Sequence, residues 1–151
     1  MNIHALVRVA LVCAVALLSA GARAELGGGR ASVEHDAVAF QGSRLVEARG
    51  AYERHEIVRA DGSRLREYVS PQGQVFAVAW DGATTPDLKT LLGSHYAEYV
   101  AALSTQRPSH HVVNVATPGL VASVTRFQRT GNGRVHLPAA MPAGISSEDL
   151  R

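Results

Sequence analysis

A chain of 151 residues has room for one ordinary domain. Its 15 lysines and arginines nearly balance 13 aspartates and glutamates, and no basic run gathers them, so the sequence lacks the electrostatic footprint of a nucleic-acid or membrane-surface binder. A single cysteine, Cys13, excludes an intrachain disulfide and a cysteine-based zinc site.

The amino-terminal stretch reads as a secretory signal peptide over residues 1–24. A weakly basic start (MNIHALVR) precedes an apolar run over 9–18, and Ala22-Arg23-Ala24 forms an A-x-A-like cleavage site. The apolar run is short of the roughly 20 residues that a spanning helix needs, and no second such run follows. Val12 precedes Cys13 where a lipoprotein signal requires a small residue. Cleavage after Ala24 removes Arg8 and Arg23, which takes the net charge of +2 to zero. The expected location is periplasmic or secreted, with no stable membrane span.

Residues 25–50 read as a leader. LGGGR (26–30) is expected to be flexible, and SVEHDAVAFQ (32–41) to open a short helix. Ser32 is its expected N-cap, and Val33, Ala37, Val38 and Phe40 form a rough apolar face.

Residues 51–140 read as a single α+β domain. AYERHEIVRADGSRLREYVS (51–70) predicts a charged, exposed or edge hairpin, with Asp61-Gly62 in a type I′ turn. SPQG predicts a second, type II turn around Pro71 and Gly73. QVFAVAW (74–80) is apolar at every second position on both sides, with Phe76, Val78 and Trp80 expected on one face and Val75, Ala77 and Ala79 on the other. Such a strand belongs inside a sheet.

The next segment supplies a cover for that strand. Thr85 as N-cap, Pro86 at the first helical position and Asp87 predict a helix start. Leu88, Leu91, Leu92, Tyr96, Tyr99, Val100 and Leu103 recur at three- and four-residue steps, one apolar stripe on a helix of about five turns. Gly93 interrupts it, and Pro108 lies just beyond. Three strands are expected at 110–116, 120–128 and 134–138, with TPG and TGNG as the turns between them. Residues 141–151 read as a loop-like carboxy-terminal tail with one helical turn from Ser146. The fold class is α+β: an antiparallel β-sheet of about five to six strands, with one long amphipathic helix packed on one face.

Two blocks, REYVSPQGQVFAVAWDGATTPDLKTLLGSHY (66–96) and GRVHLPAAMPAGISSEDLR (133–151), resemble a family of small exported proteobacterial proteins known as domain-of-unknown-function family 2844. The resemblance implies an envelope or secreted location in a Gram-negative bacterium. It implies no activity and carries over no catalytic residue.

Chemistry-bearing residues do not assemble along the sequence. After Ala24 the histidines are His35, His55, His95, His110, His111 and His136, without the convergent spacing of a zinc site. His110 and His111 are neighbours on a strand and face opposite sides. Ser94 beside His95 sits within a helix and lacks a nucleophile elbow. His55, Glu56 and Asp61 fall on a hairpin without an evident pocket. LGGGR follows no strand, so it is no phosphate loop. Trp80, Phe76, Tyr96 and Tyr99 read as helix–sheet core rather than as a ligand pocket. No catalytic, cofactor-binding or metal-binding residue is therefore assigned, and no cofactor is expected.

The function expected is that of a non-enzymatic exported envelope protein that binds another envelope component or a small ligand, with no nucleic-acid partner. The alternative is an envelope hydrolase using His and carboxylate groups. A cluster of histidine and acidic side chains converging in a pocket would favour the enzyme. An uncovered sheet face or a usable strand edge would favour the binding protein.

Overall fold

The computed structural model describes residues 25–106, 111–127 and 129–151. The signal-peptide segment and His110 lie outside the described residues. Seven strands form one antiparallel sheet in the order β1-β2-β3-β4-β7-β6-β5. The strands are β1 (Gly42–Ala48), β2 (Glu53–Arg59), β3 (Arg64–Val69), β4 (Val75–Gly82), β5 (Val112–Ala116), β6 (Val121–Phe127) and β7 (Thr130–His136). The fold is α+β as expected, with one strand more than the upper expectation. The extra strand is β1, whose GSRLVEA sequence shows no apolar alternation. It pairs with β2 along its whole length, Gly42 against Arg59 through Ala48 against Glu53. The charged β2–β3 hairpin is therefore not at the edge.

Helices cover one face only. α1 (Arg30–Ala39) lies towards β1, and α2 (Leu88–Leu92) is followed by a 3₁₀ turn (Gly93–His95) and α3 (Tyr96–Ser104). The long helix is thus broken where Gly93 adopts φ 50°. An added Cβ there would fall within 1.9 Å of the Glu25 carboxylate. α2 is capped by Asp87 rather than Thr85. The Asp87 carboxylate accepts from the Lys89 amide at 3.2 Å and the Thr90 hydroxyl at 2.5 Å, which satisfies the free first turn. α1 begins two residues before Ser32, with Gly29 at its N-cap, and the Ser32 hydroxyl instead donates back to the Gly29 carbonyl.

Leu26 is buried, and the chain from Leu26 to Gly28 threads between α2 and β4. Its amides bond the carbonyls of Leu91 and Val75, and the Val75 amide bonds Gly28. The LGGGR stretch is therefore pinned rather than flexible.

Both hairpin turns differ from expectation in the same way. The Gly62 amide bonds the Arg59 carbonyl while the Arg59 amide bonds Ser63. The Gly73 amide bonds the Ser70 carbonyl while the Ser70 amide bonds Gln74. Asp61 and Gln72 are not at positive φ, whereas Gly62 and Gly73 both are, at 82°. Each is a type I turn closed by a left-handed glycine, the three-residue hairpin geometry, and not type I′ or type II.

A register shift between Tyr68 and Val69 makes Phe76 an extra residue on β4. This β-bulge reverses the side-chain parity. Val75 joins Val78 and Trp80 on the helix side, and Phe76 joins Ala77 and Ala79 on the opposite side. There Phe76 meets Tyr52 and Tyr68, with ring centroids 6.0 and 6.2 Å away. Trp80 and Tyr99 belong to the helix-side core as expected, with Tyr96 packed against it.

TGNG is not a turn. β6 and β7 are already paired at Phe127 and Thr130, so Gly131 and Gly133 lie within β7. Gly133 is directly opposite Trp80. The indole lies over it so closely that a Cβ would sit 2.2 Å from Trp80 Cζ2.

Candidate functional site

The two faces of the sheet bear very different side chains, and each holds one arrangement of chemical interest. Under the helices, cross-strand pairing aligns Val46, His55, Glu67, Val78, Val135, Ala122 and Val115 in one row. Glu67 is 1% exposed and His55 3% in this otherwise apolar row. α1 presents Val33, Asp36, Ala37 and Phe40 on one stripe, so Asp36 descends onto the sheet. Val38, expected on that stripe, is on the solvent side.

The Asp36 and Glu67 carboxyls are buried side by side beneath α1. Asp36 Oδ2 and Glu67 Oε2 are both buried and receive no hydrogen bond from any donor group among the described residues, so a proton shared between the two carboxyls is what would satisfy them. A bond between two carboxyl groups needs a proton on at least one of them. Burial, then the bond to Asp36 and its charge, push Glu67 well above the usual carboxylate range. Burial also raises Asp36. Glu67 is thus the acid that donates and Asp36 the acceptor. His55 is held below its ordinary value, first by burial. Its ring nitrogens lie 3.3 Å from Arg44 Nη1 and 3.4 Å from Glu53.

His55 and its neighbours along the sequence do not converge. Glu56 points to the opposite face, where it meets Arg54, Arg64 and Arg66. Asp61 sits in the turn, its carboxylate bonded by the Ser63 amide and the Thr84 hydroxyl, which hold its pKa to about 2. Ser94 and His95 lie on the 3₁₀ turn, and His95 is 3.9 Å from Glu98. His111 stacks against Phe127 at the rim. Among the described residues no three His, Cys, Asp or Glu side chains form a group fit to hold a metal ion.

Among the described residues the other face carries no α-helix, only a 3₁₀ turn (Ser147–Asp149) in the carboxy-terminal segment. One row across it reads Leu45, Glu56, Arg66, Ala79, Arg134, Ser123 and Asn114. The next reads Arg64, Asp81, Asn132 and Thr125. Ala79 is small, so the arginines on either side of it stand over a low floor. The carboxy-terminal segment crosses this face. Leu150 packs on Ala79 and its neighbours, Arg134 Nη1 donates to the Ser147 carbonyl at 2.9 Å, and the Tyr68 hydroxyl donates to the Arg151 main-chain oxygen at 2.9 Å.

Between strands and segment lie two hollows that share Ser123 and Arg134. One, of about 440 Å³, is walled by Arg66, Asp81, Thr125, Asn132 and Arg151. The other, of about 260 Å³, is walled by Asn114, Val121, His136 and Ser147. Together they form a trough of the size that takes a small ligand. His136 is buried, and its Nδ1 has no partner among the described residues. Burial first, and the Arg134 charge second, lower its pKa, so the ring is neutral at neutral pH. Arg66 is neutralised by Asp81 at 2.5 Å. Among the described residues Arg134 makes no ion pair.

Residues 22–150 match the family described as Protein of unknown function (DUF2844). The chain belongs to this family. The match spans the first resembling block, the strands between, and the second block as far as Leu150. No curated protein and no solved structure matches the chain. Among the described residues no helix is long and apolar enough to cross a membrane.

The sequence reading missed both arrangements. Glu67 left a trace: it alternates with Leu65 and Val69 in RLREYV, which places a carboxylate on a buried face. Arg134, Ser123 and His136 left none, because strand pairing alone brings them to one trough.

Proposed function

We propose that this DUF2844 chain is a non-enzymatic cell-envelope protein, periplasmic or secreted, that binds a small anionic, hydroxyl-bearing ligand in the trough of the helix-free face. The observation that carries this reading is the trough's second hollow. Arg134 lines both hollows and, among the described residues, has no carboxylate partner; beside it stands the buried, neutral His136. A guanidinium recognises carboxylate or phosphate oxygens. Ser123, Thr125, Asn132 and Asn114 offer hydroxyl and amide groups that suit a hydroxylated ligand. Export rests on the signal-peptide reading of residues 1–24, and Gram-negative origin on the family resemblance.

The hydrolase reading draws on Asp36, Glu67 and His55. Glu67 and His55 are sealed beneath α1, and the crevice that Asp36 borders with Phe40, Leu65 and Thr90 holds about 130 Å³. Ligand sites run from about 300 to 1,000 Å³, so the binding reading is preferred.

The test is capture of small molecules from an envelope extract by the chain beginning at Glu25, read by mass spectrometry after denaturation. An anionic compound is expected on the wild type. Arg134→Gln, melting as the wild type does, should retain about tenfold less, the loss of one charge-assisted hydrogen bond. Equal retention on both proteins, or no retained compound, would overturn the proposal.

A further inference from the structure

The buried acid pair has no place in ligand binding at the trough, yet it lies where the amino-terminal helix meets the sheet. We propose that α1 is a proton-held latch: the hydrogen bond between the Asp36 and Glu67 carboxyls fastens it over β1–β3, and loss of the shared proton releases it.

The geometry restricts what else can hold the helix. Its apolar stripe is short, with Val33 and Phe40 buried and Ala37 partly so. At its carboxy-terminal end Arg59 Nη1 donates to the Phe40 carbonyl at 2.6 Å with its guanidinium over the Phe40 ring, and its ties at the rim are Arg30 to Glu53 at 3.1 Å and Glu34 to Arg44 at 3.4 Å. Solvated ion pairs of this kind contribute little. Asp36 sits midway along the stripe, and its partner Glu67 lies on a strand with neighbours on both sides. Two ionised carboxylates in this position would place like charges together away from water, which is the arrangement that most opposes burial.

The charged and titratable groups around the pair do not replace the proton. On α1, the exposed His35 immediately precedes Asp36 and favours its ionised form. On β1, Arg44 favours the ionised form of Glu67, although it also serves His55 and Glu34. On β2, His55 is neutral and tied to Glu53. Beside α2, Asp87 borders the same small crevice as Asp36 and adds negative charge.

The direction with pH follows from proton linkage. Glu67 and Asp36 bind their proton more tightly folded than unfolded. Their contribution is therefore fully present below the ordinary carboxylate range and is lost as pH rises through the folded value. His55 acts oppositely. It is neutral when folded, so protonation as pH falls below about 6.5 also opposes docking. The latch is tightest between these limits and opens on the alkaline side. Opening exposes Ile57, Leu65 and the inner face of α1.

Hydrogen-exchange protection factors for α1 amides, corrected for the intrinsic effect of pH, test this directly. As pH rises above the ordinary carboxylate range, protection over residues 33–39 should fall at least tenfold, while β4 stays protected. Glu67→Gln should flatten the profile, because its amide donates to Asp36 without titrating. Asp36→Asn provides the same control should the first variant fail to fold. The Glu67 carboxyl carbon, followed by NMR in the wild type, should titrate above the ordinary range. A flat wild-type profile, an unchanged fall in a folded variant, or a Glu67 that titrates normally would each overturn the latch. Because the trough lies on the opposite face, ligand capture by Glu67→Gln separates this proposal from the binding reading.

Discussion

Trp80 and Gly133 are one packing unit made by two residues from distant parts of the chain. The indole is 2% exposed and occupies the space that any side chain at 133 would need. Truncation of such a ring costs about 3–5 kcal/mol, a large share of the roughly 5–15 kcal/mol that holds a domain of this size. Trp80→Ala should therefore melt far below wild type in denaturant, whereas Arg64→Ala, half-exposed on β3, should stay within about 0.5 kcal/mol. Gly133→Ala should also destabilise by more than a surface change. In the double variant the methyl group occupies part of the vacated space, so the two losses should add to less than their sum. Wild-type-like melting of Trp80→Ala, or strict additivity, would show that the ring does not pack there.

At the scale of elements, what was legible is what physical chemistry writes locally. The helix over Leu88–Leu103 announces itself through its stripe, and the hairpin through Asp61-Gly62. Strands β3 and β4 show β-prone, apolar sequence. What failed depends on the partner strand. GSRLVEA becomes a strand because β2 offers it an edge, with Leu45 and Val46 left exposed there. TGNG becomes a strand because Trp80 requires glycine opposite it. The bulge at Phe76 moves an aromatic ring to the other face through one extra residue, which alternation cannot reveal. The candidate site was unreadable for the same reason. Arg134 and Ser123 are direct cross-strand partners, eleven positions apart in sequence and on different strands, and His136 reaches the same trough one pleat along.

At the scale of the molecule, two meanders, β1 to β4 and β5 to β7, make one continuous sheet whose two edges are not alike. β5 is blunted where the Gln106 side chain donates to the Asn114 carbonyl at 2.6 Å, while β1 shows exposed Leu45 and Val46 beside an edge that pairs with no further strand among the described residues. The carboxy-terminal segment lies across the helix-free face, and the chain from Leu26 lies beside β4 on the other. An export signal that ends at Ala24 would release the chain immediately before these anchored residues. Amino-terminal sequencing of the protein recovered from periplasm or medium should begin at Glu25, and recovery of an intact Met1 in a membrane fraction would refute cleavage.

The junction between the meanders is the pairing of β4 with β7, Ala77 against His136 through Gly82 against Gly131. Every other strand pair joins neighbours in sequence, and their formation requires only short loops. This one must close the whole intervening chain, including the helices, before its contacts return any free energy, and the entropy lost grows with the length enclosed. Two glycines in β7 add further backbone freedom to be lost. The rate at which the sheet forms is thus set at this seam, a property of kinetics rather than of final stability. Val135 is fully buried in the seam, and Val135→Ala should slow refolding in stopped-flow mixing by most of its equilibrium effect. If the substitution only hastens unfolding, the seam closes after the barrier, and the two meanders meet late on the downhill side.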